Sequence, residues 1–181
     1  MNVLHCADLH FDDEAGRLKN TIACCDQVIA TAQAESPDLI VIAGDVYDKG
    51  LILGSPGTLA AIDFVQRCGN VAPVVITSGT PTHDAANSTE VFNKLNTTHP
   101  IYATSIPHQT GLTRDGSFMP INGDFTFTEL AALVSCLPSV TRAGLVAMSS
   151  LSLEETRIEA AELLRDLFQA WGVVNGKANT L

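Results

Sequence analysis

Basic residues are scarce in this sequence. Lys and Arg number 10 against 20 Asp and Glu, so the 181-residue chain carries a formal net charge of −10 at pH 7. Bulk charge of this sign does not hold a protein to nucleic acid or to anionic lipid. A phosphate-bearing ligand therefore needs a local device that attracts it, such as a bound metal ion.

Long apolar runs and paired cysteine motifs are also missing. The longest apolar run, around Leu39–Ala43, has the length of a strand and falls well short of the roughly 18 residues of a membrane span. Met1–His10 has no basic stretch ahead of an apolar one, so we expect no signal peptide and no membrane association. The cysteines form no CxxC pair, which is typical of reduced thiols in a cytoplasmic protein; they are Cys6, Cys24, Cys25, Cys68 and Cys136.

The sequence does have the material for a hydrophobic core, since 46% of its residues are hydrophobic. In the first half, apolar runs of strand length alternate with segments whose apolar residues recur at helical spacing. Ser55 and Pro56 have the pattern of an N-cap and a first helical residue, and Gly69 is placed to end that helix. This order predicts an α/β fold. The other predicted elements are strands at Met1–Ala7, Asp38–Ala43 and Pro73–Thr77 and a helix at Arg17–Ala34.

The second half is less regular. Pro100–Ala103 and Gly144–Met148 are predicted as strands, and Gln109–Gly123, which is rich in Gly, Thr, Asp and Pro, is predicted as a loop. Phe125–Ser135 is predicted to change from strand to short helix. Ser152 and Glu155 have the spacing of a capping box before a last helix. The predicted buried face of that helix consists of Ile158, Ala161, Leu164, Phe168 and Trp171.

Polar residues follow each of the three predicted strands of the first half. Ligands of open α/β sheets collect at the carboxyl ends of the strands, so these side chains are expected in one crevice. Several acids in one crevice repel each other unless a cation lies among them, and carboxylates with imidazole suit a divalent ion such as Mn, Fe or Zn. The residues are Asp8, His10, Asp45, Asp48, His83 and Asp84.

Each of these residues also has an ordinary structural explanation when it is taken singly. Asp8 would serve as a turn or cap residue, His10 as a surface histidine, and Asp45 after Gly44 as part of a βα turn. The spacing of Asp8 and His10 favours the metal site, because side chains two apart on an extended chain point the same way and reach one ion.

These residues resemble the motifs of calcineurin-like metallophosphoesterases. Asp8-x-His10, then Gly44-Asp45-x-x-Asp48, then a segment from Gly79 to His83-Asp84, are similar to the first three motifs of that family. The surrounding segments, LHCADLHF and LIVIAGDVYDKG, are most similar to DNA repair nucleases of the SbcD type. The resemblance covers about Met1–Asp84 well and the rest of the chain poorly.

The resemblance implies a fold of mixed β-sheet layers flanked by helices, an α/β/β/α sandwich, with two divalent ions at the strand ends. It implies Mn as the working ion, with Asp8 and His10 on the first ion and Asp45 bridging both. Asp48 would then orient His83. His83 would protonate the leaving oxygen or stabilise the phosphoryl group.

The implied activity is hydrolysis of phosphodiester bonds by a two-metal mechanism, in the role of a DNA repair exonuclease subunit. The same resemblance implies DNA as the substrate, an SMC-like ATPase as a partner, a homodimer of nuclease subunits and a cytoplasmic location.

The sequence departs from the family pattern in two places. The family motif Gly-Asn-His-Asp, whose Asn binds the second ion, is replaced by a longer segment in which Thr82 precedes His83. The later histidine ligands of the family have no counterpart after His108. We therefore expect residues 1–181 to be the N-terminal portion of a nuclease domain. One expected outcome is that this portion is inactive on its own.

Two other functions stay open on the sequence. The acidic charge favours a small-molecule phosphatase or nucleotidase on the same scaffold, because a small substrate needs no extended basic groove. The missing Asn and the missing later histidines favour a degenerate domain that binds a partner or one metal ion without catalysis.

Overall fold

Seven strands and three α-helices make up the part of the chain that the computed structural model describes, which is residues 1–50, 52–85, 87–121, 127–139 and 155–178. Two short 3-10 helices, Thr89–Lys94 and Phe127–Glu129, lie between them. The strands are β1 (Val3–Cys6), β2 (Leu39–Ala43), β3 (Val74–Thr77), β4 (Ile101–Thr104), β5 (His108–Thr113), β6 (Phe118–Pro120) and β7 (Leu130–Cys136). The helices are α1 (Ala15–Glu35), α2 (Pro56–Gly69) and α3 (Glu155–Ala178).

The first four strands form a parallel sheet in the order β1-β2-β3-β4. Its register pairs Val3 with Leu39 and Ile40 with Val74. The strands are parallel, as the predicted alternation of strands and helices requires. The near-continuous apolar run of β2 is explained by burial on both faces, as is usual for a parallel sheet. The prediction of three strands and two helices in the first half is confirmed.

One face of the parallel sheet is covered by α1 and α2. Alternate strand residues point to this face, so Ile40 and Ile42 of β2 enter the same core cluster as the helices. The predicted start of α2 is confirmed, because the Ser55 hydroxyl accepts from the Thr58 N–H at 3.3 Å and Pro56 is the first helical residue. The buried helix residues of this cluster are Cys25, Ile29, Ala32, Ala61, Phe64, Val65 and Cys68.

The other face of the parallel sheet meets an antiparallel sheet with the order β6-β5-β7. Leu39 and Val75 from the first sheet pack against Leu112 and Cys136 from the second. Helix α3 in turn contacts β7, and Asn175 accepts a hydrogen bond from the Gln109 amide at 3.2 Å. The predicted fold class, an α/β arrangement of mixed sheet layers flanked by helices, is confirmed.

The prediction of a loop over Gln109–Gly123 is wrong, because β5 and β6 occupy most of it. Two polar residues of β5 are buried and find partners on the neighbouring strands. The Gln109 amide donates to Ser135 Oγ at 2.8 Å, and the Thr110 hydroxyl donates to the Met119 backbone oxygen at 3.1 Å. A strand stabilised in this way shows no apolar alternation in its sequence.

Two further predictions for the second half are corrected. Phe125–Ser135 has the opposite order from the expected one, since the 3-10 turn comes before β7. In α3, Leu164 and Trp171 are half-buried as part of the inner face, whereas Ala161 and Phe168 are exposed. The apolar stripe of α3 is therefore rotated relative to the predicted one. Gly144–Met148 and Ser152 lie outside the described residues.

Among the helices of the described ranges, none is both long enough and apolar enough to cross a bilayer.

Candidate metal centre

Three loops at the carboxyl edge of the parallel sheet carry the predicted site residues. Asp8 and His10 follow β1, Asp45 and Asp48 follow β2, and His83 follows β3. The backbone joins the first two loops, because the His10 N–H donates to the Asp45 carbonyl at 3.0 Å. Since the strands are parallel, all five residues lie at one edge of the sheet.

Asp8, His10 and Asp45 form the first group of candidate ligands. One ligand atom from each residue lies within 4.8 Å of the others, and His10 Nε2 is 3.9 Å from Asp8 Oδ1. Two carboxylates repel each other at this separation unless a cation lies between them. Oxygen and imidazole donors together suit a divalent ion of borderline or hard character, so these residues fit such an ion.

His10, Asp48 and His83 form a second group within the same 4.8 Å limit. The Asp48 carboxylate faces His10, with 3.6 Å between Asp48 Oδ1 and His10 Nδ1. The rings of His10 and His83 meet edge to face, with centroids 4.7 Å apart and an interplanar angle of 84°. The two groups share His10, so the site is one continuous cluster.

His83 is oriented by the backbone of Asp48. Its Nδ1 lies 2.7 Å from the Asp48 carbonyl oxygen. A carbonyl oxygen only accepts hydrogen bonds, so Nδ1 carries the proton and Nε2 is the nitrogen left for another partner. The expected contact between Asp48 and His83 is therefore made through the main chain, and the Asp48 side chain faces His10.

The three residues of the first candidate group have unusual backbone angles. Asp8, His10 and Asp45 have φ values of 55°, 49° and 51°, which lie in the left-handed region that residues with a Cβ rarely adopt. Such residues cluster at functional sites, where the surrounding structure holds them in place. Three of them at one sheet edge are a structural indication of function that is independent of side-chain chemistry.

Two glycines allow the loops after β2 and β3 to touch. Gly44 has a φ of 82°, and a Cβ built on it would lie 2.7 Å from the Gly79 Cα. A Cβ built on Gly79 would lie 2.0 Å from Asp45 Oδ1 and 2.2 Å from the Asp45 backbone nitrogen. Only glycine at both positions lets the Asp45 carboxylate lie against the following loop.

Thr80 is a site residue that the sequence analysis missed. Its N–H donates to Asp45 Oδ1 at 2.6 Å, and its hydroxyl donates to the same oxygen at 3.0 Å. Thr82, the residue before His83, has its hydroxyl 3.4 Å from that of Thr80. The two residues that lengthen this loop were the signal that could have drawn attention to Thr80.

Asp84 was expected in the crevice, but its carboxylate points into the protein, where the residue is 3% exposed. It accepts from the backbone N–H groups of Gly79 at 2.7 Å, Tyr47 at 3.0 Å and Val46 at 3.3 Å. Asp84 therefore connects the loops after β2 and β3 by hydrogen bonds. Among the described residues, it belongs to neither group of candidate metal ligands.

Arg17 is the second residue that the sequence analysis missed. It forms ion pairs with Asp12 at 2.6 Å, Glu14 at 2.9 Å and Asp48 at 3.7 Å. The hydrogen bond from the Glu14 N–H lowers the pKa of Asp12 below its usual range. The neighbouring Asp48 and Arg17 side chains lower this pKa further. A cation in the first turn of a helix is electrostatically unfavourable, so Arg17 at the start of α1 was itself a signal of acidic partners.

A cavity of about 200 Å³ opens beside Asp48. Its volume is below that of most drug-sized ligand pockets, so it has room for part of a ligand next to the metal centre. The remaining residues around it are Phe11, Asp12, Asp13, Lys49, Gly50, Ile52, Ser55, Gly57 and Thr58.

Two further histidines, His99 and His108, lie outside the cluster. The His99 N–H donates to the Gly69 carbonyl at 2.9 Å, and the His108 ring stacks on Tyr102 with centroids 5.9 Å apart. Within the described ranges, neither histidine joins a group of candidate ligands.

A family model described as calcineurin-like phosphoesterase matches residues 1–166, which is more than half of the chain. The matched region contains the three loops that carry the candidate ligands. A search of curated proteins finds no match.

Proposed function

This chain belongs to the calcineurin-like phosphoesterase family, and on that premise we propose that it hydrolyses phosphodiester bonds with the help of divalent metal ions. The family uses divalent metals for phosphoester hydrolysis. The observation that carries the proposal is the convergence of Asp8, His10 and Asp45 from two strand ends to within 4.8 Å of one another.

In this proposal Asp8, His10 and Asp45 would hold the first ion, and Asp45 would be shared with a second. Mn²⁺ is the proposed ion, because it accepts both carboxylate and imidazole ligands. Bound ions of this kind neutralise the charge of the phosphoryl oxygens and lower the pKa of water. The work of the protein is to fix the ligand oxygens and the His10 ring in place.

We assign the proton transfer to His83. Because Nδ1 is engaged by the Asp48 carbonyl, Nε2 is the nitrogen left to contact a substrate. In the protonated ring, Nε2–H donates to the leaving oxygen or to a phosphoryl oxygen. The Asp48 carbonyl oxygen orients the His83 ring, and the Asp48 carboxylate faces His10 with 3.6 Å between Oδ1 and Nδ1.

For the substrate and the biological role, we propose DNA and a DNA repair exonuclease. The support comes from the segments LHCADLHF and LIVIAGDVYDKG, which surround the loops after β1 and β2 and resemble nucleases of the SbcD type. The same resemblance supports an SMC-like ATPase partner, a homodimer and a cytoplasmic location as parts of the proposal.

The second candidate is a small-molecule phosphatase or nucleotidase. The net charge of −10 and the cavity of about 200 Å³ favour it, because they suit a compact substrate better than a long polyanion. A domain without catalytic activity is the third outcome, and Thr82 at the position of the family's Asn ligand favours it.

The test compares hydrolysis of bis(p-nitrophenyl) phosphate, p-nitrophenyl phosphate and end-labelled DNA in the presence of Mn²⁺, with Asp45→Asn as the inactive control. We expect hydrolysis of the diester and stepwise release of nucleotides from DNA ends. Hydrolysis of the monoester alone would replace the proposal with the phosphatase. If there is no hydrolysis with Mn²⁺, Fe²⁺, Zn²⁺ or Mg²⁺, the assay is repeated with a longer chain from the same gene. DNA cleavage by the longer chain would show that residues 1–181 are inactive on their own, and no cleavage by either chain would favour the non-catalytic domain.

A further inference from the structure

We propose that Thr80 is a positioning residue that determines which oxygen of Asp45 meets a metal ion. The inference rests on the proposed metal-dependent function and adds a specific residue to it. Thr80 lies in the lengthened loop after β3, within the third motif segment but not among the residues that the resemblance assigns to the metal site.

The first step is the hydrogen bonding of the Asp45 carboxylate. Thr80 donates twice to Oδ1, from its N–H at 2.6 Å and from its hydroxyl at 3.0 Å. A carboxylate oxygen offers about two lone-pair sites. Both sites of Oδ1 are therefore occupied, and Oδ2 is the oxygen left for an ion shared with Asp8 and His10.

The second step is the rigidity of the loop that presents Thr80. The N–H groups of His83 and Asp84 both donate to the Thr80 carbonyl, at 2.9 Å and 2.8 Å, which closes a tight turn around it. On the other side, Gly79 lies so close to Asp45 that an added Cβ would be 2.0 Å from Oδ1. The carboxylate is thus held between a glycine and a fixed pair of donors.

The Thr80 hydroxyl contributes to the position of Asp45 without contributing to the packing of the protein. Thr80 is exposed, so loss of its hydroxyl opens no cavity and leaves no buried partner without a hydrogen bond. Partners that orient a metal ligand commonly account for about 10- to 100-fold in metal affinity. The hydroxyl should therefore affect metal binding far more than folding.

The experiment measures Mn²⁺ affinity of the whole chain by isothermal titration calorimetry, together with the melting temperature of the metal-free protein. Thr80→Val keeps the backbone donor and removes the hydroxyl, and we expect its affinity to fall about 10- to 100-fold with an unchanged metal-free melting temperature. Thr80→Ser, which restores the hydroxyl, should bind as the wild type does. Thr31→Val is the matched control, since its hydroxyl donates to Gln27 within α1.

Wild-type affinity in Thr80→Val would overturn the inference and leave the proposed function standing. No Mn²⁺ binding by the wild type would overturn both. A loss in Thr82→Val equal to that in Thr80→Val would also contradict the inference, because the effect would then not depend on the hydroxyl that contacts Asp45. If Thr80→Val and Thr80→Ala both fail to fold, Thr80 is a structural residue and the proposal is rejected.

Discussion

At the scale of single residues, the candidate ligands are held in backbone conformations that cost about 1–3 kcal/mol each. Asp8, His10 and Asp45 share this feature, with φ values between 49° and 55°. Hydrogen bonds between the loops compensate for the cost, among them the bond from the Asp8 N–H to the Gly44 carbonyl at 3.2 Å. The backbone strain is thus shared by the two loops, whose conformations bring the three side chains close together.

Asp45→Asn should remove metal binding and hydrolysis together. The Asn side chain carries no charge and has a single acceptor oxygen. The two Thr80 donors would compete with the metal ion for that oxygen. Mn²⁺ titration by calorimetry checks the prediction, with Asp63→Asn as the control because Asp63 is an exposed acid of α2 that pairs with Arg67 at 3.5 Å. Measurable Mn²⁺ affinity in Asp45→Asn close to that of the wild type would remove Asp45 from the centre.

His83→Ala should separate chemistry from metal binding. Loss of a general acid lowers the rate by about 10²–10⁴-fold, whereas the ligands Asp8, His10 and Asp45 are left in place. The rate on bis(p-nitrophenyl) phosphate and the Mn²⁺ affinity are the two measurements, and His5→Ala on the exposed side of β1 is the control. An unchanged rate would contradict the role assigned to His83.

The sequence indicates the candidate ligand residues but not the contacts that hold them in place. Asp8, His10, Asp45, Asp48 and His83 stand after strands in recognisable motifs, and the structure brings them to one edge. The contacts made by the Thr80 hydroxyl and by the Arg17 guanidinium depend on loop conformation, for which the sequence has no periodic signal. The inward turn of the Asp84 carboxylate was hidden for the same reason.

At the scale of the elements, the approach of the loops after β2 and β3 decides whether the centre can form. Gly79→Ala should lower the free energy of unfolding by about 1–3 kcal/mol or more and should weaken Mn²⁺ binding, because its Cβ would meet the Asp45 backbone nitrogen at 2.2 Å. Urea denaturation checks the first effect and calorimetry the second.

Gly16 offers the matched control for this substitution. It lies in α1 with open space around its built Cβ, so Gly16→Ala should raise the free energy of unfolding by about 0.5–1 kcal/mol. Equal effects of the two substitutions would show that the contact with Asp45 does not constrain the loops.

Elements with a strong hydrophobic period were predictable, and those with buried polar partners were not. The β1–α1–β2–α2–β3 order follows from apolar runs and from the Ser55–Pro56 start signal, which act locally. Strand β5 was missed because Gln109 and Thr110 are buried through hydrogen bonds to β7 and β6. Such pairing depends on residues that are distant in the sequence, so a local sequence pattern does not predict the strand.

At the scale of the whole molecule, buried thiols make stability dependent on alkaline pH. Burial raises the pKa of Cys6 to about 11 and that of Cys25 to about 12, the latter with smaller contributions from neighbouring groups. Burial likewise raises the pKa of Cys136 to about 11. Because the folded pKa values exceed the unfolded value of about 9, the stabilisation is complete below pH 9 and is lost as pH rises through about 11–12.

We therefore expect the urea midpoint, measured in reductant, to be flat up to about pH 8.5 and to fall between pH 9 and 11. Cys25→Ala should start from a lower midpoint, because it leaves a cavity, and should then lose less over the same pH interval. A midpoint that stays constant to pH 11, or a Cys25→Ala loss as steep as that of the wild type, would contradict the assignment to the thiols.

The order of strands in the parallel sheet has a consequence for how the protein is made. The spatial order of β1 to β4 in the sheet is the same as their order along the chain. Every candidate ligand found among the described residues lies before β4. Chains are synthesised from the N-terminus, so the residues of the parallel sheet are available for pairing before those of the antiparallel sheet. The residues of the candidate metal centre are thus translated before the antiparallel layer that packs against their sheet.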